Sequence, residues 1–304
     1  MQYSQTEIPL VSVIIATYNS ACTIIETLNS IYDQDYDNIE LVVSDDSSKD
    51  DTIAICSRWI EEKGSRFKNV QLLTVPENTG VAVNFNRAVK ASHGVWIKTL
   101  AGDDLLAKNC VKECVEFVTK ESCQICMVRL HLFDGDEQKN REKEKKLNDV
   151  MYSCLRLTKK EKQYKKALYR HILPGPGIFY SRFLYDSIGG FDERFCNFEE
   201  YSFELRVFEK ERVFFLDKEL VWWRQRANSL THTTASPAEK DDIAFFYRVR
   251  KELLKKNHQY LQLWDEMIHY YIVEATEFKD KSDIVKCLWF FSPLFYYNKL
   301  KKLF

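Results

Sequence analysis

The sequence predicts an α/β protein: a mostly parallel sheet flanked by helices, with a C-terminal helical extension. Three observations lead there. Apolar runs of strand length alternate with helix-spaced segments through the first half, acidic pairs follow two of those runs directly, and from about Pro237 only helix-like patterning remains. The division is drawn between a sheet domain over 1–235 and a helical region over 236–304.

Val11 to Ala16 is a continuous apolar run suited to a strand buried on both faces, and Cys22 to Tyr32 follows with Ile24, Ile25, Leu28 and Ile31 at helical spacing. Ile39 to Ser44 repeats the strand signal. Ser48 or Asp50 is then placed to cap a helix reaching Lys63, and Val70 to Val75 supplies a third strand. After the Asn78-Thr79-Gly80 loop, a helix is expected near Ala82 to Ala91, and Val95 to Leu100 is a fourth strand ending at Gly102-Asp103-Asp104. Another helix and the run Ile125 to Leu132 come next. The charged segment Asp134 to Lys146 then reads as a solvated, mobile loop or helix end. Pro174-Gly175-Pro176-Gly177 and Gly189-Gly190 mark tight backbone positions in the part that has to close a site.

At 304 residues with 45% hydrophobic content, the chain can close a substantial core. A formal net charge of -1 excludes a global field that would gather nucleic acid, so an anionic ligand needs a local site. The nine cysteines are odd in number and scattered, without the framework of a disulfide-stapled domain, and point to a reducing compartment. Cys123 and Cys126 form a C-x-x-C, but the surrounding intervals fit no zinc finger, and Cys126 opens an apolar run where a buried strand thiol is expected. The first seven residues have neither a basic nor an apolar leader region, so export is not expected. Cys287 to Tyr297 is too short and too broken for a membrane span. The last segment, Trp289 to Phe304, interleaves aromatics with lysines, as peripheral membrane segments and helices packed on a partner both do.

The acidic clusters carry the chemistry. Asp45-Asp46 and Asp103-Asp104 both follow strand-like runs, and in an open α/β sheet the carboxyl ends of strands are where ligands bind. A carboxylate pair beside a nucleoside diphosphate makes sense only with a divalent cation between them, and Asp103-Asp104 fits that task with Mn²⁺ or Mg²⁺. Glu199-Glu200 begins a helix-like run; sugar transfer needs one carboxylate free of metal to take the acceptor proton, and Glu200 is the candidate, with Glu199 and Asp192 next.

Taken in order, Val11 to Asn19, Val43 to Asp50, Asn78-Thr79-Gly80, Gly102-Asp103-Asp104, Gly189 to Glu193 and Glu199-Glu200 resemble the family-2 glycosyltransferases of bacterial polysaccharide synthesis. The resemblance covers roughly 9–230 and implies the GT-A fold, Rossmann-like, with inverting transfer from a nucleotide-sugar, UDP first and dTDP or GDP after it. The acceptor it implies is a glycan or a lipid-linked glycan, and the setting is the cytoplasm or the inner face of the plasma membrane. By the same resemblance, Ala16, Thr17, Tyr18 and Asn78 line the nucleotide pocket and Asp46 accepts from a uracil-like imide. Asp103 contacts the ribose or a metal-bound water, and Asp104 holds the cation on the diphosphate. The sequence departs from the family at Glu200, where Asp is usual, and this moves the carboxylate by about one methylene. Phe85 stands where Arg is often found, so diphosphate contacts are sought among Arg87, Lys98, Arg224, Arg226 and His232.

Rival classes make different demands. A dinucleotide-dependent oxidoreductase lacks its G-x-G-x-x-G after the first strand, and a nucleotidyltransferase lacks its Gly-rich phosphate loop. A non-catalytic sugar-nucleotide binder remains as the alternative, and a homo-oligomer through the C-terminal helices is a further expectation.

Overall fold

The computed structural model describes residues 8–168, 171–194, 199–225, 250–256, 258, 260 and 262–264. The chain divides into two compact units, Met1–Thr234 and Ala235–Phe304. In the second, 250–256 is helical, with Leu254 and Leu263 buried; the rest of the expected C-terminal helices, including the aromatic and lysine-rich end, lies outside the described residues. No helix among the described residues is long and apolar enough to cross a membrane.

The first unit is built on one eight-stranded sheet with the order β3-β2-β1-β4-β7-β6-β8-β5. β1 (Val11–Thr17), β2 (Ile39–Asp45), β3 (Asn69–Thr74) and β4 (Trp96–Ala101) pair in parallel, as the alternating pattern predicts. β1 and β2 are buried almost throughout because helices cover both faces, whereas β3 is the half-exposed edge. The far half of the sheet is mixed. β7 (Ile178–Ser181) runs antiparallel between β4 and β6 (Ile125–Phe133), β6 pairs in parallel with β8 (Phe214–Arg224), and the short β5 (Leu105–Leu106) is antiparallel to β8.

The helices follow the predicted periodicity with local differences. α1 (Ile24–Tyr32) buries Ile24, Leu28 and Ile31, which lie within one stripe at 3.6 residues per turn, while Ile25 falls about 100° away and is exposed. α2 (Thr52–Lys63) is preceded by Asp51; Asp50 instead accepts from Thr52 and from the Ala21 N–H, and Ser48 turns toward Asp45, so neither expected cap takes that role. α3 (Val81–Ala91) and α4 (Cys110–Glu121) complete the first layer. The charged segment after β6 is a full helix, α5 (Glu137–Lys146), capped by Asp136 accepting from Lys139 N–H and burying none of its residues. A π-helical turn, then α6 (Ser153–Leu155) and α7 (Lys160–Ala167), lead to the Pro174–Gly177 loop, and α8 (Arg182–Ile188) and α9 (Glu199–Lys210) close the unit.

Cys126 is a buried strand thiol on β6, and no group of three or more potential metal ligands occurs among the described residues. Beneath the β4–β7 junction lies Lys98, fully buried. Its ammonium donates to the carbonyls of Thr99, Pro176 and Ile178, and burial pulls its pKa down. These bonds tie the Pro174–Gly177 loop to the sheet.

Candidate active site

The carboxyl ends of β1, β2 and β4 lie side by side. Thr17 pairs with Asp45 and Ala16 with Ala101, so the turn after each strand opens at the same edge. Asp46 N–H donates to Thr17 O at 3.0 Å, and Gly102 N–H donates to Ala16 O at 3.1 Å. Asp46 and Asp103-Asp104 therefore flank the end of β1 from opposite sides. A Cβ at Gly102 would stand 2.6 Å from Thr17 Oγ1, so only glycine lets the β4 turn come this close.

The β1 and β2 turns are laced together. Asn19 N–H donates to Ser48 Oγ, Ser20 N–H to Thr52 Oγ1 and Lys49 N–H to Asn19 Oδ1. Asn19 and Ser47 both hold positive φ, at 52° and 70°, a conformation that side-chain-bearing residues keep only where their surroundings impose it. Tyr18 is left 44% exposed at the mouth of the cleft. Beneath it, Thr17 Oγ1 is buried without a hydrogen-bond partner among the described residues, an orphan hydroxyl at the position expected to meet the nucleotide.

Asp46 is buried, and its carboxylate is occupied within the protein. It accepts from the N–H groups of Thr79 and Gly80 at 2.9 and 2.8 Å, from Thr79 Oγ1 at 2.6 Å and from Arg87 at 3.0 Å. Asn78 Nδ2 adds a bond to Asp46 O at 3.2 Å. The carboxylate expected to accept from a base imide thus organises the Asn78–Gly80 loop over the end of β2. Arg87 is engaged here, also donating to Ser44 Oγ and Asn84 Oδ1.

On the other flank, Asp104 is 1% exposed. Its Oδ1 accepts the Arg224 N–H at 2.9 Å, and Oδ2 has no protein donor among the described residues. Burial pushes its carboxyl well above the usual carboxylate range, and the charges of Asp103 and Glu200 push the same way. A bulged register in the β6–β8 pairing sets Arg224 opposite Phe133. From there the Arg224 guanidinium donates to Asp103 O, Asp134 and Glu26 at 2.8, 3.0 and 2.5 Å. Its side chain is only 6% exposed, so it fastens the Asp103-Asp104 turn to α1 and to the loop before α5.

Glu200, in the first turn of α9, reaches the same region and adds to the field at Asp104. It lies against Gly175, where a Cβ would stand 2.8 Å from the Glu200 carboxyl carbon. On its other side is His171, whose Nε2 lies 3.4 Å from Glu200 Oε2. His171 Nδ1 lies 2.6 Å from Oε2 of the fully buried Glu204, a close ion pair off the line of a straight hydrogen bond. Burial pulls the imidazolium down, but the Glu204 charge and the bonds to both glutamates outweigh it, and the His171 pKa stands at about 10. Neither residue is singled out by the sequence reading. The available signal is Glu204, an acidic residue in the otherwise apolar register of Phe203, Leu205, Val207 and Phe208.

The structure thus gathers Ala16, Thr17, Tyr18, Asp46, Asn78, Asp103, Asp104, Arg87, Arg224 and Glu200 around one edge of the sheet, with Lys98 below it. Arg226 and His232 lie outside the described residues, as does the side chain of Glu199. Asp192 is paired with Arg194 at 2.6 Å, and the Gly189–Phe191 turn is anchored to α3 by Asn86, which accepts from Phe191 N–H and donates to Phe191 O. Among the described residues the donor set suits a hard divalent cation: two neighbouring carboxylates, with no third potential ligand grouped with them.

Comparison with known proteins agrees with this arrangement. The model of "Glycosyl transferase family 2" matches residues 12–189. TuaG of Bacillus subtilis, named for teichuronic acid biosynthesis, is 32% identical over 130 residues, 42% of this chain and 49% of that protein. An uncharacterized glycosyltransferase of Rickettsia prowazekii, RP339, is 26% identical over 83% of this chain and 78% of its own length. This chain spans about half or less of the length of several curated relatives it matches. Among solved structures, Staphylococcus aureus TarS 1-349 in complex with UDP-GlcNAc aligns with a TM-score of 0.65 at 21% identity, over 86% of this chain and 72% of that one. A Pyrobaculum calidifontis mannosyltransferase in complex with GDP-Man and Mn²⁺ aligns at 0.55 and 20% identity, over 84% and 75%. The fold is the GT-A fold, and with more than half of its length matched by the family model, the chain belongs to glycosyl transferase family 2.

Proposed function

We propose that this protein transfers a sugar from a nucleoside-diphosphate sugar, UDP-linked in the first instance, to a hydroxyl of a glycan or lipid-linked acceptor, with inversion at the anomeric carbon. The observation that carries this reading is the convergence of Asp46, Asp103-Asp104 and Glu200, distant in sequence, on the carboxyl ends of β1, β2 and β4. The family assignment and the UDP-GlcNAc complex of TarS support the donor class. WfaP of Escherichia coli, a UDP-Glc:alpha-D-GlcNAc-diphosphoundecaprenol beta-1,3-glucosyltransferase that is 34% identical over 37% of this chain and 42% of its own, supports the acceptor class.

In this reading the nucleobase rests against exposed Tyr18, with the Thr17 hydroxyl and the Asn78–Gly80 loop lining its pocket. Asp46 holds that loop in place through three accepted bonds and is itself braced by Arg87. Arg87, Lys98 and Arg224 are all bound to protein groups, which supports a cation as a partner of the diphosphate charge. Mn²⁺ or Mg²⁺ held by Asp104, with Asp103 beside it, would neutralise the leaving diphosphate. Glu200 takes the acceptor hydroxyl proton as that oxygen attacks the anomeric carbon, and attack on the face opposite the leaving group inverts configuration.

The test is a thermal-shift panel of UDP, dTDP and GDP with and without Mn²⁺, followed by turnover of Asp104→Ala. A ligand at 100 times its Kd stabilises the fold by about 2.7 kcal/mol. The expected result is stabilisation by one nucleotide that requires Mn²⁺, together with loss of turnover in Asp104→Ala. Full turnover of that variant in the presence of chelator refutes the cation assignment.

A further inference from the structure

We propose that His171, clamped from behind by Glu204, is a positioning residue that aims the Glu200 carboxylate for proton abstraction. This rests on the reading of Glu200 as the base. Glu200 and Glu204 are one helical turn apart on α9, so both carboxylates face the same neighbour. That neighbour is His171, with one ring nitrogen 3.4 Å from Glu200 and the other 2.6 Å from Glu204. Glu204 is itself fixed: it is 0% exposed and accepts the N–H groups of Ile172 and Leu173 at 3.1 and 3.0 Å. The ring of Tyr201 stands edge-on to His171 at 6.1 Å, its hydroxyl donating to Ala167 O.

The arrangement supplies what a base needs near a second acidic site. The His171 ring, with Nε2 3.4 Å from Oε2, holds the Glu200 carboxylate from one side, while Gly175 leaves room for Oε1 on the other. Glu204 keeps the ring charged and stops it from rotating away. The groups facing this chain are therefore Glu200, Glu204 and Tyr201 from α9, the backbone N–H groups of 172 and 173, and Asp104 through its field on Glu200. A structural ion pair alone would need no such contact with Glu200, because the two N–H bonds and His171 already satisfy Glu204.

The experiment measures kcat and donor KM for the full chain and for Glu200→Gln, His171→Gln, His171→Asn, Glu204→Gln and the double variant His171→Gln/Glu200→Gln, with nucleotide binding as the check on folding. Glu200→Gln is expected to lose transfer by about 10²- to 10⁴-fold. His171→Gln and Glu204→Gln are expected to lower kcat by about tenfold to a hundredfold at unchanged donor KM. The double variant is expected to be no worse than Glu200→Gln. Wild-type kcat in both His171 variants, with Glu200→Gln inactive, overturns the positioning role and leaves the base reading standing. Additive losses in the double variant likewise overturn it. Full turnover in Glu200→Gln overturns the base reading itself.

Discussion

Replacing Gly175 by alanine separates the geometry of the candidate base from the stability of the fold. The new Cβ would stand 2.8 Å from the Glu200 carboxyl carbon, and ordinary contact begins at 3.4 Å, so the carboxyl carbon must retreat at least 0.6 Å. The nearer carboxylate oxygen must move further, on the order of 1 Å, and a misplacement of that size typically costs about a hundredfold in rate. The obstacle is the tip of a flexible side chain rather than backbone, and Gly175 does not hold a positive φ, so the fold can absorb the methyl group. Its place before Pro176 adds a modest backbone restriction, of about 1 kcal/mol at most. The expected outcome is kcat reduced by roughly thirtyfold to a hundredfold, donor KM within about twofold of wild type, and a melting temperature lowered by a few degrees. Steady-state kinetics beside a thermal melt distinguish the cases. Wild-type kcat in a folded Gly175→Ala protein refutes the placement of the reacting proton at Glu200, and a loss confined to KM assigns the loop to substrate binding instead.

Two further outcomes follow from charges in and around the site. His171 has its pKa raised above the ordinary 6.5 to about 10, so its contribution to stability is complete below pH 6.5 and is lost as pH rises toward 10. Melting temperatures across that window are expected to fall more steeply in wild type than in His171→Gln, and parallel curves would disprove the folded-state charge on this ring. Arg224→Leu removes a nearly buried guanidinium that joins Asp103 O to Glu26 and Asp134; because both carboxylates are half-exposed and can rehydrate, the expected loss is about 2 kcal/mol by urea unfolding. A change below about 0.5 kcal/mol would mean the cluster does not hold the Asp103-Asp104 turn.

The pattern of residues was enough to place the parallel half of the sheet. Val11–Thr17 and Ile39–Asp45 are rich in apolar, β-branched residues, as burial on both faces demands, and the acidic pairs sit at the ends of Ile39–Asp45 and Trp96–Ala101, where they are predicted. The helix over Glu137–Lys146 was less legible, because a segment that buries nothing carries no apolar stripe; its signal was the Asp136 cap. The antiparallel insertion of β7 was hidden as well, since four buried residues look alike in either direction and the partner strand is chosen by long-range pairing.

Local chemistry in the sequence decided which residue types were available: carboxylates after strands, glycines in tight turns, and a Glu-Glu pair opening a helix. Only the tertiary structure decided their partners. It turned Arg87 and Lys98 inward to protein acceptors, closed Asp46 on the Thr79–Gly80 loop, and brought His171 and Glu204 behind Glu200. The reason is that a hydrogen bond or ion pair between residues tens of positions apart depends on where the sheet and helices bring the chain together, and spacing along the sequence does not encode that distance.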